Sequence, residues 1–106
     1  MSTLPTALSR LDITKAELGD FCRKNRIRKL ALYGSALRGE LGPNSDIDLL
    51  VEFEPDQEPT LIGFSNVELD LTDRLGRKID LRTAEDLSRY FRDEVVTAAE
   101  VVYEKR

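Results

Sequence analysis

No histidine occurs among the 106 residues, and cysteine appears once. The missing imidazole excludes a Ser-His-Asp triad, a Cys-His pair, imidazole acid–base chemistry and the usual zinc sites. Any catalysis must then rest on carboxylates, hydroxyls, lysine or arginine, and on metals that oxygen ligands can hold. The lone Cys22 has no partner for an internal disulfide, which fits a reducing, cytoplasmic setting; such a cysteine reads first as a small core residue. There is no run of about 18 apolar residues to span a membrane, and no cationic-then-apolar leader. A formal charge of −4 argues against broad electrostatic attraction to nucleic acid, so no stable nucleic-acid complex is expected. The basic run Arg23-Lys24-Asn25-Arg26-Ile27-Arg28-Lys29 could attract an anionic partner, but a solvated helix end explains it more simply.

What is present points to one α/β (α+β) domain over residues 1–106. The first ten residues could carry a short helical turn. Thr14-Lys15-Ala16-Glu17 reads as a capping box, with Ile13 and Leu18 placed to staple the entry of a helix running from about Thr14 to Asn25. Lys29 to Tyr33 is a short strand candidate stopped by Gly34; Ser35 to Glu40 could turn helically before Gly42-Pro43-Asn44 breaks the chain. Asp46 to Phe53 is the next strand, and Glu54 to Pro59 a polar loop. Phe64, Val67, Leu71 and Leu75 recur at helical spacing up to Gly76, a left-handed stop. Lys78 to Arg82 gives a third strand, after which Thr83 and Asp86 open a C-terminal helical region striped by Phe91, Val95, Ala98 and Val102. This order predicts a sheet of three or four strands layered with helices.

Aspartate is a poor strand former, yet Asp46 and Asp48 begin the second strand. Alternation sends Ile47, Leu49, Val51 and Phe53 to one face and Asp46, Asp48, Leu50 and Glu52 to the other. Two carboxylates about 6–7 Å apart along one strand repel unless a cation sits between them, and hard divalent ions prefer such oxygens. In Lys78-Ile79-Asp80-Leu81 the pattern recurs, with Asp80 opposite the apolar face. If the strands are neighbours, three carboxylates converge as the ligand set of a two-metal site. Gly34-Ser35, between a strand and a helical turn, lets backbone amides approach a phosphate. The run Gly34-x4-Gly39-Glu40 is not a P-loop, because Glu40 stands where lysine is required. Taken singly, Asp46 could be turn chemistry after Ser45, Ser35 a helix cap, and Arg38 a surface ion-pair partner; the fixed spacing of the combination is the stronger signal.

Gly34-Ser35, ten residues, then Asp46-Ile47-Asp48 resembles the Gly-Ser-x10-Asp-x-Asp signature of the DNA polymerase β-like nucleotidyltransferase superfamily. The stretches YGSALRGELGPNSDIDLLVEFEP and GRKIDLRTAEDLSRYFRDEVVTAAEVVYE are similar to its minimal nucleotidyltransferase (MNT) branch. That resemblance implies the minimal nucleotidyltransferase fold, a small mixed sheet with helices on one face and an open active-site face. It implies that Asp46, Asp48 and Asp80 bind two Mg²⁺ ions and carry catalysis, and that Gly34, Ser35 and Arg38 hold the phosphates of ATP. Ala36 departs from the arginine that many relatives carry directly after Gly-Ser. The resemblance further implies an antitoxin that moves AMP from ATP to a hydroxyl, expected to be tyrosine, of a HEPN toxin partner. The alternative is a non-catalytic antitoxin that neutralises its toxin by binding. The C-terminal region and the Glu54–Thr60 loop could contact that partner or merely complete the fold, and self-association into a homo-oligomer is compatible with either reading.

Overall fold

A computed structural model describes residues 13–34 and 46–105. Helix α1 (Lys15–Lys24) leads into β1 (Ile27–Tyr33); β2 (Ile47–Phe53), α2 (Leu61–Leu75) and β3 (Ile79–Arg82) follow, then a 3-10 turn (Ala84–Asp86), α3 (Arg92–Ala98) and β4 (Glu100–Glu104). The four strands lie in the order β3-β2-β1-β4, with β1 antiparallel to both β2 and β4 and β2 parallel to β3. This is the mixed sheet that the sequence predicts. The expected turns before Ile13 and between Ser35 and Asn44 fall outside the described residues.

Local chemistry sets the elements. Thr14 Oγ1 accepts from the Glu17 amide at 3.1 Å while Glu17 receives the Thr14 amide at 3.3 Å, so α1 begins with the expected capping box. Leu18, Phe21 and Cys22 form its buried face, and Ile13 packs against the same core. Thr60 caps α2 through the Gly63 amide, and Gly76, at φ 66°, closes it in the left-handed conformation that glycine adopts without a Cβ penalty. Val67, Leu71 and Leu75 of α2 join α1 on one side of the sheet, over Ile27, Leu30, Leu32, Ile47, Leu49, Val51, Ile79 and Leu81. The basic run that begins in the last turn of α1 is divided rather than pooled: Arg23 pairs with Asp20, Ile27 is buried, and Arg28 pairs with Glu52 at 2.6 Å.

The second face carries a smaller cluster of Ala31, Leu50 and Leu87, flanked by Tyr33, Val95, Ala99 and Val101. The chain after β3 therefore covers part of this face. The predicted C-terminal stripe is corrected here. Helix α3 stops at Ala98, Phe91 precedes it and is 46% exposed, and Val102 lies in β4, buried in the main core. Thr83 and Asp86 do pair, but around a 3-10 turn in place of a longer helix: both the amide and the hydroxyl of Thr83 donate to Asp86 at 3.1 Å.

On the edge strand β3, the Leu81 amide donates to Glu68 of α2 at 2.8 Å. A charged acceptor thus satisfies a backbone donor at the sheet edge. Replacing Glu68 by alanine should lower stability by about 1–2 kcal/mol and speed amide exchange at Leu81, measured by urea unfolding and hydrogen exchange. Burial also pushes the Cys22 thiol up to about 12, against a smaller lowering by Arg23. Because the folded chain holds this proton more tightly, stability should be full below about pH 9 and fall as pH rises toward 12. At pH 8 the thiol should react with a disulfide reagent at least tenfold more slowly in buffer than in denaturing urea.

Candidate active site

The parallel register of β2 and β3 sets Asp48 directly beside Asp80, and the antiparallel register of β1 and β2 sets Tyr33 on the other side of Asp48. Tyr33, Asp48 and Asp80 therefore form a row across three strands. Ile47, Leu49, Ile79 and Leu81, the alternating neighbours, all point into the core beneath. Asp46 precedes β2, two residues before Asp48. The side chains of Asp46 and Asp80 are 46% and 36% exposed, while Asp48 is half-buried between them and the sheet.

This placement creates an electrostatic demand. Partial burial raises the Asp48 carboxyl above its ordinary value, and the charges of Asp80 and Asp46 push the same way. Arg82 opposes them. Burial also raises the Tyr33 hydroxyl to about 12, reinforced by Asp48 and Asp80. Arg82 Nε lies 3.3 Å from each carboxylate oxygen of Asp80, and Lys78 Nζ lies 3.8 Å from Asp46.

Gly34 leaves β1 at φ 75° and passes close to the row. A Cβ built there would stand 2.5 Å from Asp48 Oδ2, inside any allowed contact. Glycine is required here for both the left-handed backbone and the clearance.

The donor set suits a hard divalent cation: oxygen ligands, mutual repulsion at Asp48, and a carboxylate kept clear by Gly34. Among the described residues, however, no three acidic or thiol side chains already form a metal-holding group. Asp80 is directed at Arg82 and Asp46 toward Lys78. The structure thus brings Gly34, Asp48 and Asp80 together and sets Asp46 at their margin, while Ser35 and Arg38 lie outside the described residues. Tyr33 and Arg82 escaped the sequence reading. The alternation that exposed Asp80 could have found Arg82, two residues further on the same face.

The profile of the family described as "Polymerase beta, Nucleotidyltransferase" matches residues 16–106. The chain belongs to this nucleotidyltransferase family. Among its relatives, the protein adenylyltransferase MntA of Thermococcus cleftensis is 37% identical over 81 residues, which span 76% of this chain and 77% of that protein. A solved structure assigned as a minimal nucleotidyltransferase matches with a TM-score of 0.68 and 28% identity, covering 92% of this chain and 94% of the other. A toxin–antitoxin crystal structure with AMP-PNP shares the fold at a TM-score of 0.70 and 22% identity, covering 89% of this chain and 76% of that one. The minimal nucleotidyltransferase fold implied by the Gly-Ser and Asp-x-Asp spacing is therefore the fold found, and the chain is a nucleotidyltransferase. No helix among the described residues is long and apolar enough to cross a membrane.

Substituting Gly34 by alanine should cost about 1–3 kcal/mol through the positive φ and the contact with Asp48. Nucleotidyl transfer should fall by more than tenfold while the far-ultraviolet circular dichroism remains that of the folded sheet.

Proposed function

We propose that this nucleotidyltransferase moves AMP from ATP to a hydroxyl, that of a tyrosine, on a HEPN toxin, and so acts as an antitoxin. The observation that carries the reading is the side-by-side register of Asp48 and Asp80 beneath Gly34. The relative MntA, named a protein adenylyltransferase, and the toxin–antitoxin structure with AMP-PNP support the choice of nucleotide, acceptor class and partner.

In this reading Asp46, Asp48 and Asp80 hold two Mg²⁺ ions, which when bound neutralise phosphate charge and acidify the attacking hydroxyl. The chain's own contributions are positional and electrostatic. Gly34 and Ser35 receive the β- and γ-phosphates along main-chain amides, with Arg38 adding charge. The acceptor oxygen forms a bond to the α-phosphorus as the bond to the bridging oxygen breaks, and pyrophosphate leaves. Asp80, open to solvent at the edge of the row, accepts the hydroxyl proton.

Incubating the chain with labelled ATP, Mg²⁺ and a HEPN toxin encoded beside it should label the toxin. Asp48→Ala should reduce that labelling at least 100-fold, and chelating the metal should do the same. Equal labelling by Asp48→Ala would reject the mechanism. Toxin protection that survived replacement of Asp46, Asp48 and Asp80 together would instead favour neutralisation by binding.

A further inference from the structure

The pairing of Arg82 with Asp80 concerns the same carboxylate that the proposed reaction needs. Arg82 stands two residues beyond Asp80 on the same sheet face, in register with Leu50, and half of its side chain is exposed. Its Nε is equidistant, at 3.3 Å, from both Asp80 oxygens. The guanidinium is also felt beyond its partner. It opposes the upward shifts of the Asp48 carboxyl and the Tyr33 hydroxyl, while Asp80 above all, and Asp86 from the turn after β3 to a lesser degree, strengthen its own hold on its proton. One cation therefore screens a row drawn from three strands.

We propose that Arg82 and a divalent cation compete for the Asp80 carboxylate, so that Arg82 sets the metal affinity of the site as a positioning residue. A doubly charged ion on Asp80 would repel a guanidinium a few ångströms away and would draw on the same pair of oxygens that Arg82 Nε now faces. Metal entry then requires Arg82 to leave Asp80, and metal departure restores the ion pair. The fold keeps its acidic row compensated in either condition. The inference rests on the reading that Asp48 and Asp80 take up a divalent cation, and its test separates the two ideas.

The test is calorimetric titration of the whole chain with Mn²⁺, without nucleotide or toxin. Arg82→Gln should bind Mn²⁺ about fivefold more tightly than the unsubstituted chain, whereas Arg82→Lys, which keeps the charge, should stay within about twofold of it. Equal or weaker binding by Arg82→Gln overturns the proposal even when Asp48→Asn abolishes binding. Absence of binding by the unsubstituted chain removes the metal reading itself, and this inference with it. A second measurement covers failure of Arg82→Gln to fold: in the unsubstituted chain the Arg82 Nε–H resonance should shift and exchange faster with water as Mg²⁺ is added. A resonance unchanged through saturation with Mg²⁺ also overturns the proposal.

Discussion

Because β2 and β3 run parallel, two aspartates separated by thirty-one positions in sequence become neighbours on one face of the sheet. A slip of a single residue in β3 would turn Asp80 into the core and bring Ile79 or Leu81 to the surface. The register is consequently enforced by the apolar set beneath it, not by the charged set above it. Parallel strands need a crossover, and α2 supplies one of suitable length. Its 15 residues rise about 22 Å, close to the roughly 23 Å spanned by the seven residues of β2. The chain thereby returns to the end of the sheet where β2 began. Glu68 then fastens β3 to that helix between Asp80 and Arg82.

The acidic row works against stability. Carboxylates beside one another at the edge of a core repel, and partial burial of Asp48 adds to the cost. The sheet tolerates them because the side chains of Asp46 and Asp80 reach solvent, with Leu50 and Leu87 packed further along the same face. Arg82 and Lys78 offset part of the repulsion from the exposed side. Local rules of strand composition are thus broken at the place where phosphate chemistry needs negative charge, and the surrounding apolar packing compensates.

Much of this was legible before any coordinates. Thr14 with Glu17, and Gly76 after Leu75, mark helix ends through chemistry confined to a few residues. Ile47 to Phe53 and Ile79 to Leu81 reveal their faces by alternation, which is why the aspartates stood out. The C-terminal segment misled because Phe91, Val95, Ala98 and Val102 happen to fall at helical spacing. Pairing with β1 overrides that spacing: Ala99 adopts an extended backbone, and the β-branched Val101 and Val102 divide between the two faces of the sheet. Tyr33 was harder to find than Arg82, since its place beside Asp48 depends on a cross-strand register that no local pattern names, whereas Arg82 shares the face of Asp80 by alternation alone.

The loop joining β2 to α2 begins just after Phe53, at the opposite end of the sheet from Asp48. Its flanks are anchored independently, by the Glu54 amide on the Arg26 carbonyl and by the Thr60 cap on Gly63. Residues 55–59 are consequently a permissive insertion point for protein engineering. A fluorophore or short epitope grafted there would travel with the crossover yet leave the carboxylate geometry untouched, whereas an equal insertion between Gly76 and Lys78 would shift the alignment of the third strand.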